Sequence, residues 1–390
     1  MIPYSRHIVT FSDVFAVGRQ LKFGSLTQGK TIEEFENTVA EYVGAKFAVA
    51  VSSATAGLHI SLLALGLEKG KKVVTSPLSF LTSANAILYA GLKPEFVDIN
   101  PITKNLDPDK LEQILESEDD IVAVIPVHYA GLACDMKKIS DLCKKYGVHI
   151  VEDAAHALGG KYSENSFIGN NEYSDLTVFS FHPVKSVTTG EGGVITTNST
   201  TLYNLLNQYR SHGLEKVQKN FVNSILAFTN GVQNSWYREM KVLGFHYRLT
   251  EIQARLGISQ MRKLQKFVSK RTSAALYYDQ LIGLDKFFKP AQIVSKEFSG
   301  NHLYPIEIDF KNSSKSRNEI MVLLKSRGIG TQVHYMPIPM NPYYSNQGYE
   351  PFTCPNAMNY YFNCISIPLH PKISRRQQRY IIRQIDQVLR

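Results

Sequence analysis

At 390 residues, with 44% hydrophobic and 20% charged side chains, the chain has ordinary globular composition and room for two domains, which excludes a disordered or fibrous protein. Its net charge of +9 is spread in short clusters such as Lys69–Lys72 and Arg375–Arg379. No basic stripe interleaved with aromatic residues appears, so no nucleic-acid partner is expected, whereas an anionic small substrate is consistent. Cys134, Cys143, Cys354 and Cys364 lack C-x-x-C spacing and read as reduced thiols, and the eleven histidines contain no H-E-x-x-H set, so no metal is expected. Met1–His7 lacks a basic start followed by an apolar stretch, which points to a cytoplasmic protein. The most apolar window, Phe47–Gly66, is broken by Ser52, Ser53, Gly57, His59 and Ser61, so no membrane span is expected.

In chain order, Thr31-Ile-Glu-Glu34 has the form of a capping box, and Ile32, Phe35, Val39 and Tyr42 recur at helical spacing until Gly44. Phe47–Val51, Lys72–Thr75, Glu95–Ile99, Ile121–Val127, Val148–Glu152, Leu176–Phe181 and Gly193–Thr197 are short apolar runs suited to strands covered on both faces, and helical patterns separate most of them. The alternation predicts an α/β fold built on a mostly parallel, doubly wound sheet. Leu214–Lys241, which holds the only tryptophan, Trp236, carries no motif and reads as a mobile loop near the site. From about residue 255 the chain turns to helices rich in Lys, Arg and Gln, a strand-like Leu303–Ile308 and a final helix near Arg375–Leu389. The expected division is therefore 1–255, an N-terminal arm with the large domain, and 256–390, a smaller C-terminal α/β domain.

The residues that carry chemistry lie at the ends of these runs. Val148-His-Ile-Val-Glu-Asp153-Ala-Ala-His156 reads as a buried strand ending in two acids and a histidine, where an α/β sheet places its ligand chemistry. Lys185, in Ser180-Phe-His-Pro-Val-Lys185, sits on a turn between two strand-like runs and is followed by glycines that admit a bulky group. A lysine held against one spot and a carboxylate at a strand end are what pyridoxal phosphate requires, the lysine for a Schiff base and the carboxylate to keep the ring nitrogen protonated. Singly, Lys185 also reads as a solvated residue, Asp153 as a helix cap and His156 as a satisfied polar contact. Ser52-Ser-Ala-Thr55 lies where a strand gives way to a helix, a place for phosphate or for simple capping. Gly66–Lys71 is too short for a P-loop, and Gly190–Gly193 precedes a strand, so neither a nucleoside triphosphatase nor a Rossmann dehydrogenase is indicated.

Leu26–Lys30, Ser52–Thr55, Ser76–Phe80, Glu152–His156, Ser180–Lys185, Arg210–Gly213, Tyr247–Gln253 and Gln332–Tyr335, taken in this order, resemble the DegT/DnrJ/StrS sugar-nucleotide aminotransferases. The resemblance implies the type I aminotransferase fold, the PLP-dependent transferase-like architecture, with pyridoxal 5′-phosphate as cofactor and pyridoxamine phosphate as the form that stores the amino group. It assigns catalysis to Lys185, Asp153 and His156, and cofactor contacts to Ala54, Thr55, Phe80, Asp153, His156, Ser180 and Lys185. Lys185 would be the Schiff-base lysine and the proton shuttle, and Phe80 would stack on the ring. Relatives usually carry asparagine at the position of His246, reaching the cofactor phosphate of the other subunit, so His246 is a departure that can still donate a hydrogen bond. A homodimer with shared active sites follows from the same resemblance. Lys30, Asn301–Pro305 and Gln332–Pro337 are most similar to the members of the pseudaminic acid pathway. That narrower likeness implies a nucleotide-sugar substrate held by Tyr4, Lys30, Arg248, His302, His334 and Tyr335, with glutamate as donor. The expected reaction is amination at C4 of a UDP-linked 4-keto-6-deoxy-N-acetylhexosamine, giving UDP-4-amino-4,6-dideoxy-N-acetyl-β-L-altrosamine. Another nucleotide-linked keto sugar, a sugar dehydratase lacking the lysine, or a non-catalytic protein of the same fold are the rival readings.

Overall fold

The short apolar runs assemble into one sheet. In the computed structural model, which describes residues 1–215, 217, 220–283, 287–310 and 313–390, the strands β1 (Phe47–Val51), β2 (Lys72–Thr75), β3 (Lys93–Phe96), β4 (Ile121–Ile125) and β5 (His149–Asp153) precede a small hairpin, β6 (Lys161–Ser163) and β7 (Ser166–Phe167). The strands β8 (Leu176–Ser180) and β9 (Gly193–Thr197) follow. The seven-stranded sheet runs β1-β9-β8-β5-β4-β2-β3. Pairs β8–β5, β5–β4, β4–β2 and β2–β3 are parallel, and β9 alone runs antiparallel to its neighbours β1 and β8. The expected mostly parallel sheet is therefore present. Strand β3 ends earlier than Glu95–Ile99 suggested, because the chain beyond Phe96 turns to bridge Ile99 with Leu106.

Two apolar layers cover the sheet, which is why its strands are apolar on both faces. On one side α2 (Lys30–Val43), with Ile32, Phe35 and Val39, packs with Ala254, Ile258 and Leu264. On the other α3 (Ala54–Ala64), with Leu58, Ile60 and Leu62, packs with Ala86, Ile87 and Leu206. The helix Glu251–Met261 approaches so closely that a Cβ on Gly257 would lie 2.5 Å from the Phe35 ring. The Thr31–Glu34 capping box does not form. Helix α2 begins at Lys30, and the Glu251 carboxylate accepts the Gly29 and Thr31 amides at 2.8 Å each, while Thr31 turns its hydroxyl to Gln20. A carboxylate from a distant helix thus satisfies the orphan amides and complements the helix dipole better than the local side chains.

A second, three-stranded antiparallel sheet contains Phe288–Pro290, Tyr304–Ile308 and Cys364–Ile367, covered by the final helix Arg375–Leu389 through Ile381, Ile385 and Val388. Along the helix Leu264–Ile282 the packing changes partner: Phe267 and Val268 join the large core, whereas Ala274 and Tyr278 join the small one. The N-terminal arm lies against the small sheet's side, with Ile2 bridging Ile329 and the Tyr4 carbonyl accepting the Leu369 amide. Within 214–241, Leu214–Glu215 pairs with Glu239–Met240, and Phe228–Thr229 with Val232–Gln233; residues 216, 218 and 219 of that segment lie outside the described residues. No helix among the described residues is long and apolar enough to cross a membrane.

Candidate active site

The carboxyl ends of the central strands meet His302 and Gln332–Tyr335 around a cavity of about 540 Å³. Because side chains alternate along β5, Glu152 and Asp153 leave the strand on opposite faces. Asp153 turns to the cavity, whereas Glu152 is fully buried, bonded by His128 at 2.7 Å, Tyr162 at 2.5 Å and Thr177 at 2.9 Å, and by Ser174. Burial works to raise the Glu152 pKa, but these donors outweigh it and hold the carboxyl below its ordinary value. This network pins the strand end that carries Asp153.

Between β8 and β9 the chain makes a hydrogen-bonded loop that presents Lys185. The Lys185 amide bonds to the His182 carbonyl at 2.9 Å, the Thr188 hydroxyl and the Thr189 amide both reach the Phe181 carbonyl, and the Gly190 amide reaches the Thr188 hydroxyl. Where β9 starts, a Cβ on Gly193 would fall 2.6 Å from the Ser53 carbonyl, so only glycine lets the strand pass beneath the start of α3. At that start Ser53 caps the Ala56 amide at 3.1 Å. Helix geometry leaves the Ala54 and Thr55 amides without an intrahelical acceptor, beside the same cavity.

Two donors fix Asp153: the Ser83 hydroxyl at 2.7 Å on Oδ2 and the Ala155 amide at 3.1 Å on Oδ1. Burial lowers the Lys185 pKa to about 8, with the Asp153 charge working against that shift. His156 Nε2 shares a 3.1 Å hydrogen bond with the Tyr335 hydroxyl, its ring stacks at 24° to Tyr335, and its Nδ1 is buried without a partner. The His302 ring lies 4.5 Å from that of His156. Burial, reinforced by neighbouring cationic groups, pushes both imidazoles well below their usual pKa and keeps them neutral. His334 shares a 2.8 Å hydrogen bond with Ser366 and faces the Tyr4 ring at 5.6 Å; burial first, then Lys185, brings its pKa to about 3.

Tyr4, Ala54, Thr55, Phe80, Asp153, His156, Ser180, Lys185, His302, His334 and Tyr335 thus line one cavity, although they come from widely separated segments. Phe80 is 60% exposed there, 6.2 Å from Tyr335, an apolar ring left facing the opening. Three expected residues do not line this chain's own cavity. Lys30 is exposed at the start of α2. His246 stacks on His212 at 5.3 Å, and Arg248 donates to the Ser211 hydroxyl at 2.8 Å, because their segment runs beside the edge strand β1 at Val51. Ser79, Thr82, His182, Glu191 and Gln332 also line the cavity and were not singled out from sequence. Their closeness to Phe80, Lys185 and His334 in the chain was the available signal.

Residues 12–386 match the DegT/DnrJ/EryC1/StrS aminotransferase family. The chain belongs to this family. Spore coat polysaccharide biosynthesis protein SpsC of Bacillus subtilis is 37% identical over 96% of this chain and 93% of its own. The UDP-4-amino-4,6-dideoxy-N-acetyl-β-L-altrosamine transaminase of Campylobacter jejuni is 36% identical over 98% of this chain and 96% of its own. Among solved structures, Helicobacter pylori PseC, an aminotransferase of pseudaminic acid biosynthesis, superposes with a TM-score of 0.90 at 31% identity, covering 100% of this chain and 99% of that one. The putative sugar aminotransferase Spr1654 of Streptococcus pneumoniae superposes in its PMP form with a TM-score of 0.88 at 28% identity, over 100% of this chain and 99% of that one. The fold is that of the type I aminotransferases.

The family's cofactor is pyridoxal 5′-phosphate. The cavity fits it: a desolvated amine, a carboxylate held by a hydroxyl and an amide, the orphan Nδ1 of His156 and an exposed aromatic ring lie together beside a helix N-terminus. A lysine with a pKa of about 8 becomes the free amine as pH rises through that value. In apoprotein labelled competitively with an acylating reagent, modification of Lys185 is expected to rise with a midpoint near pH 8, whereas exposed lysines follow a midpoint of about 10.4. Peptide mass spectrometry reads both, and an ordinary midpoint for Lys185 contradicts the burial argument.

Proposed function

We propose that this aminotransferase transfers the amino group of glutamate, through pyridoxal 5′-phosphate, to C4 of a UDP-linked 4-keto-6-deoxy-N-acetylhexosamine in the cytoplasm. The product on this reading is UDP-4-amino-4,6-dideoxy-N-acetyl-β-L-altrosamine, for pseudaminic acid biosynthesis. The observation that carries it is the meeting of Lys185, Asp153 and the neutral His156–His302 pair in one cavity, in a chain 36% identical over nearly its whole length to a transaminase of that name.

When bound, the cofactor supplies the carbonyl that takes up the amino group and the ring that accepts the electrons of the broken C–H bond. The protein's part is positional and acid–base. Asp153 would face the ring nitrogen and stabilise its proton. The amides of Ala54 and Thr55 and the hydroxyl of Ser180 would receive the phosphate, and Phe80 would cover the ring. The Lys185 amine would serve as the acid–base group that takes up and returns a proton beside the bound cofactor, a task suited to a pKa of about 8. His302, His334, Tyr335 and Tyr4 form the wall that meets the sugar and limits water.

The charge count in this wall favours a homodimer with shared sites. Among the described residues lining the cavity, Lys185 is the only lysine or arginine, yet cofactor and substrate bring phosphate groups. Lys30, His246 and Arg248, outside the chain's own cavity, are the groups a second copy would supply, and the exposed Phe11, Phe15 and Phe23 of the helix Phe11–Phe23 suit burial against it.

The test is a substrate panel of the two C5-epimeric UDP-4-keto-6-deoxy-N-acetylhexosamines and a dTDP-4-keto-6-deoxyhexose, each with glutamate. Amination of one UDP epimer is expected. Product from the dTDP sugar alone overturns the sugar assignment while leaving the aminotransferase in place.

A further inference from the structure

Asp153 is not held by the backbone alone. Ser83, fully buried in the first turn of the helix Thr82–Tyr89, gives its hydroxyl hydrogen to Asp153 Oδ2 at 2.7 Å. A hydroxyl has one hydrogen, so the 2.7 Å contact between Ser83 Oγ and Ser79 Oγ must be donated by Ser79. The result is a directed chain, Ser79 to Ser83 to Asp153, that starts at the cavity wall and ends on the carboxylate. Each donor in such a chain polarises the next in a low-dielectric interior. With the Ala155 amide on the other oxygen, both carboxylate oxygens are tethered, so the plane of the group is fixed. The positive end of the helix that carries Ser83 lies beside the same charge.

We propose that Ser83, backed by Ser79, is a positioning residue that orients Asp153 toward the cofactor ring. This rests on the reading of Asp153 as the partner of the ring nitrogen. Nothing in the motif Ser76–Phe80 marks Ser79 for this role, and Ser83 lies outside every motif of the sequence. Both hydroxyls are buried, so the chain does not depend on solvent.

The test uses the holoenzyme with Ser83→Ala, Ser79→Ala, the double variant and Asp153→Ala in parallel. A hydrogen bond to a charged group is worth about 10-fold or more, so Ser83→Ala is expected to lower kcat by about 10-fold with KM for the sugar nearly unchanged. It is also expected to weaken cofactor binding and to move the pH midpoint of the bound cofactor's visible absorption, with little change in melting temperature. Ser79→Ala should give a smaller shift in the same direction, and the double variant should match Ser83→Ala, because Ser79 acts only through Ser83. Should Ser83→Ala keep the wild-type midpoint, kcat and cofactor affinity while Asp153→Ala is impaired, the positioning role is overturned and the Asp153 reading stands. Wild-type behaviour of Asp153→Ala overturns both. Additive losses in the double variant overturn the chain.

Discussion

Lys185→Ala is expected to fold and to lose both half-reactions. The side chain contributes a desolvated amine with a depressed pKa, a state that disfavours its charged form, so truncation removes little that holds the fold together. On the proposed function chemistry depends on it twice, for covalent attachment of the cofactor and for proton transfer, and general acid–base catalysis alone contributes about 10²- to 10⁴-fold. We expect a fall of at least about 10³-fold in amino-sugar formation, with a melting temperature close to wild type. Stopped-flow spectra with glutamate alone and with the keto sugar alone separate the two half-reactions. Substantial turnover by the variant contradicts the assignment.

Asp153→Ala is expected to cost activity more than cofactor occupancy. On the proposed function the cofactor would keep its contacts to Lys185 and to the start of α3, so binding would persist, but the ring nitrogen would lose the charge that keeps it protonated. Removing one preorganised electrostatic contact in a water-poor site costs on the order of 100-fold in kcat. Activity and bound cofactor are measured on the same preparation. The Ala155 amide on Oδ1 shows that Asp153 also closes a local turn. Wild-type rates from Asp153→Ala would mean that the turn is its whole role.

Much of the site was legible because its main residues stand at positions set by local rules. Asp153 ends an apolar strand and Lys185 lies on the loop between two others, and both readings survive in the sheet. The order β1-β9-β8 was not legible, since one reversed strand has the same apolar pattern as a parallel one. The failed capping box has a comparable cause: Thr31 and Glu34 have the right spacing, but spacing carries no information about Glu251, which folding brings to the same amides. Ser83 and His128 were silent for another reason, because a serine or histidine acquires meaning only from the carboxylate it touches, and those carboxylates lie far along the chain. Lys30, His246 and Arg248 came from resemblance alone, and none of them lines this chain's own cavity.

The central claim is that Lys185 carries the cofactor in the cavity that Asp153 faces. Reduction of the holoenzyme with borohydride, followed by digestion and peptide mass spectrometry, tests it most directly. The account predicts a phosphopyridoxyl group on the peptide containing Lys185, and loss of that label when the enzyme is treated with glutamate before reduction. Label on a different lysine, or none on an enzyme that still turns over, would contradict it.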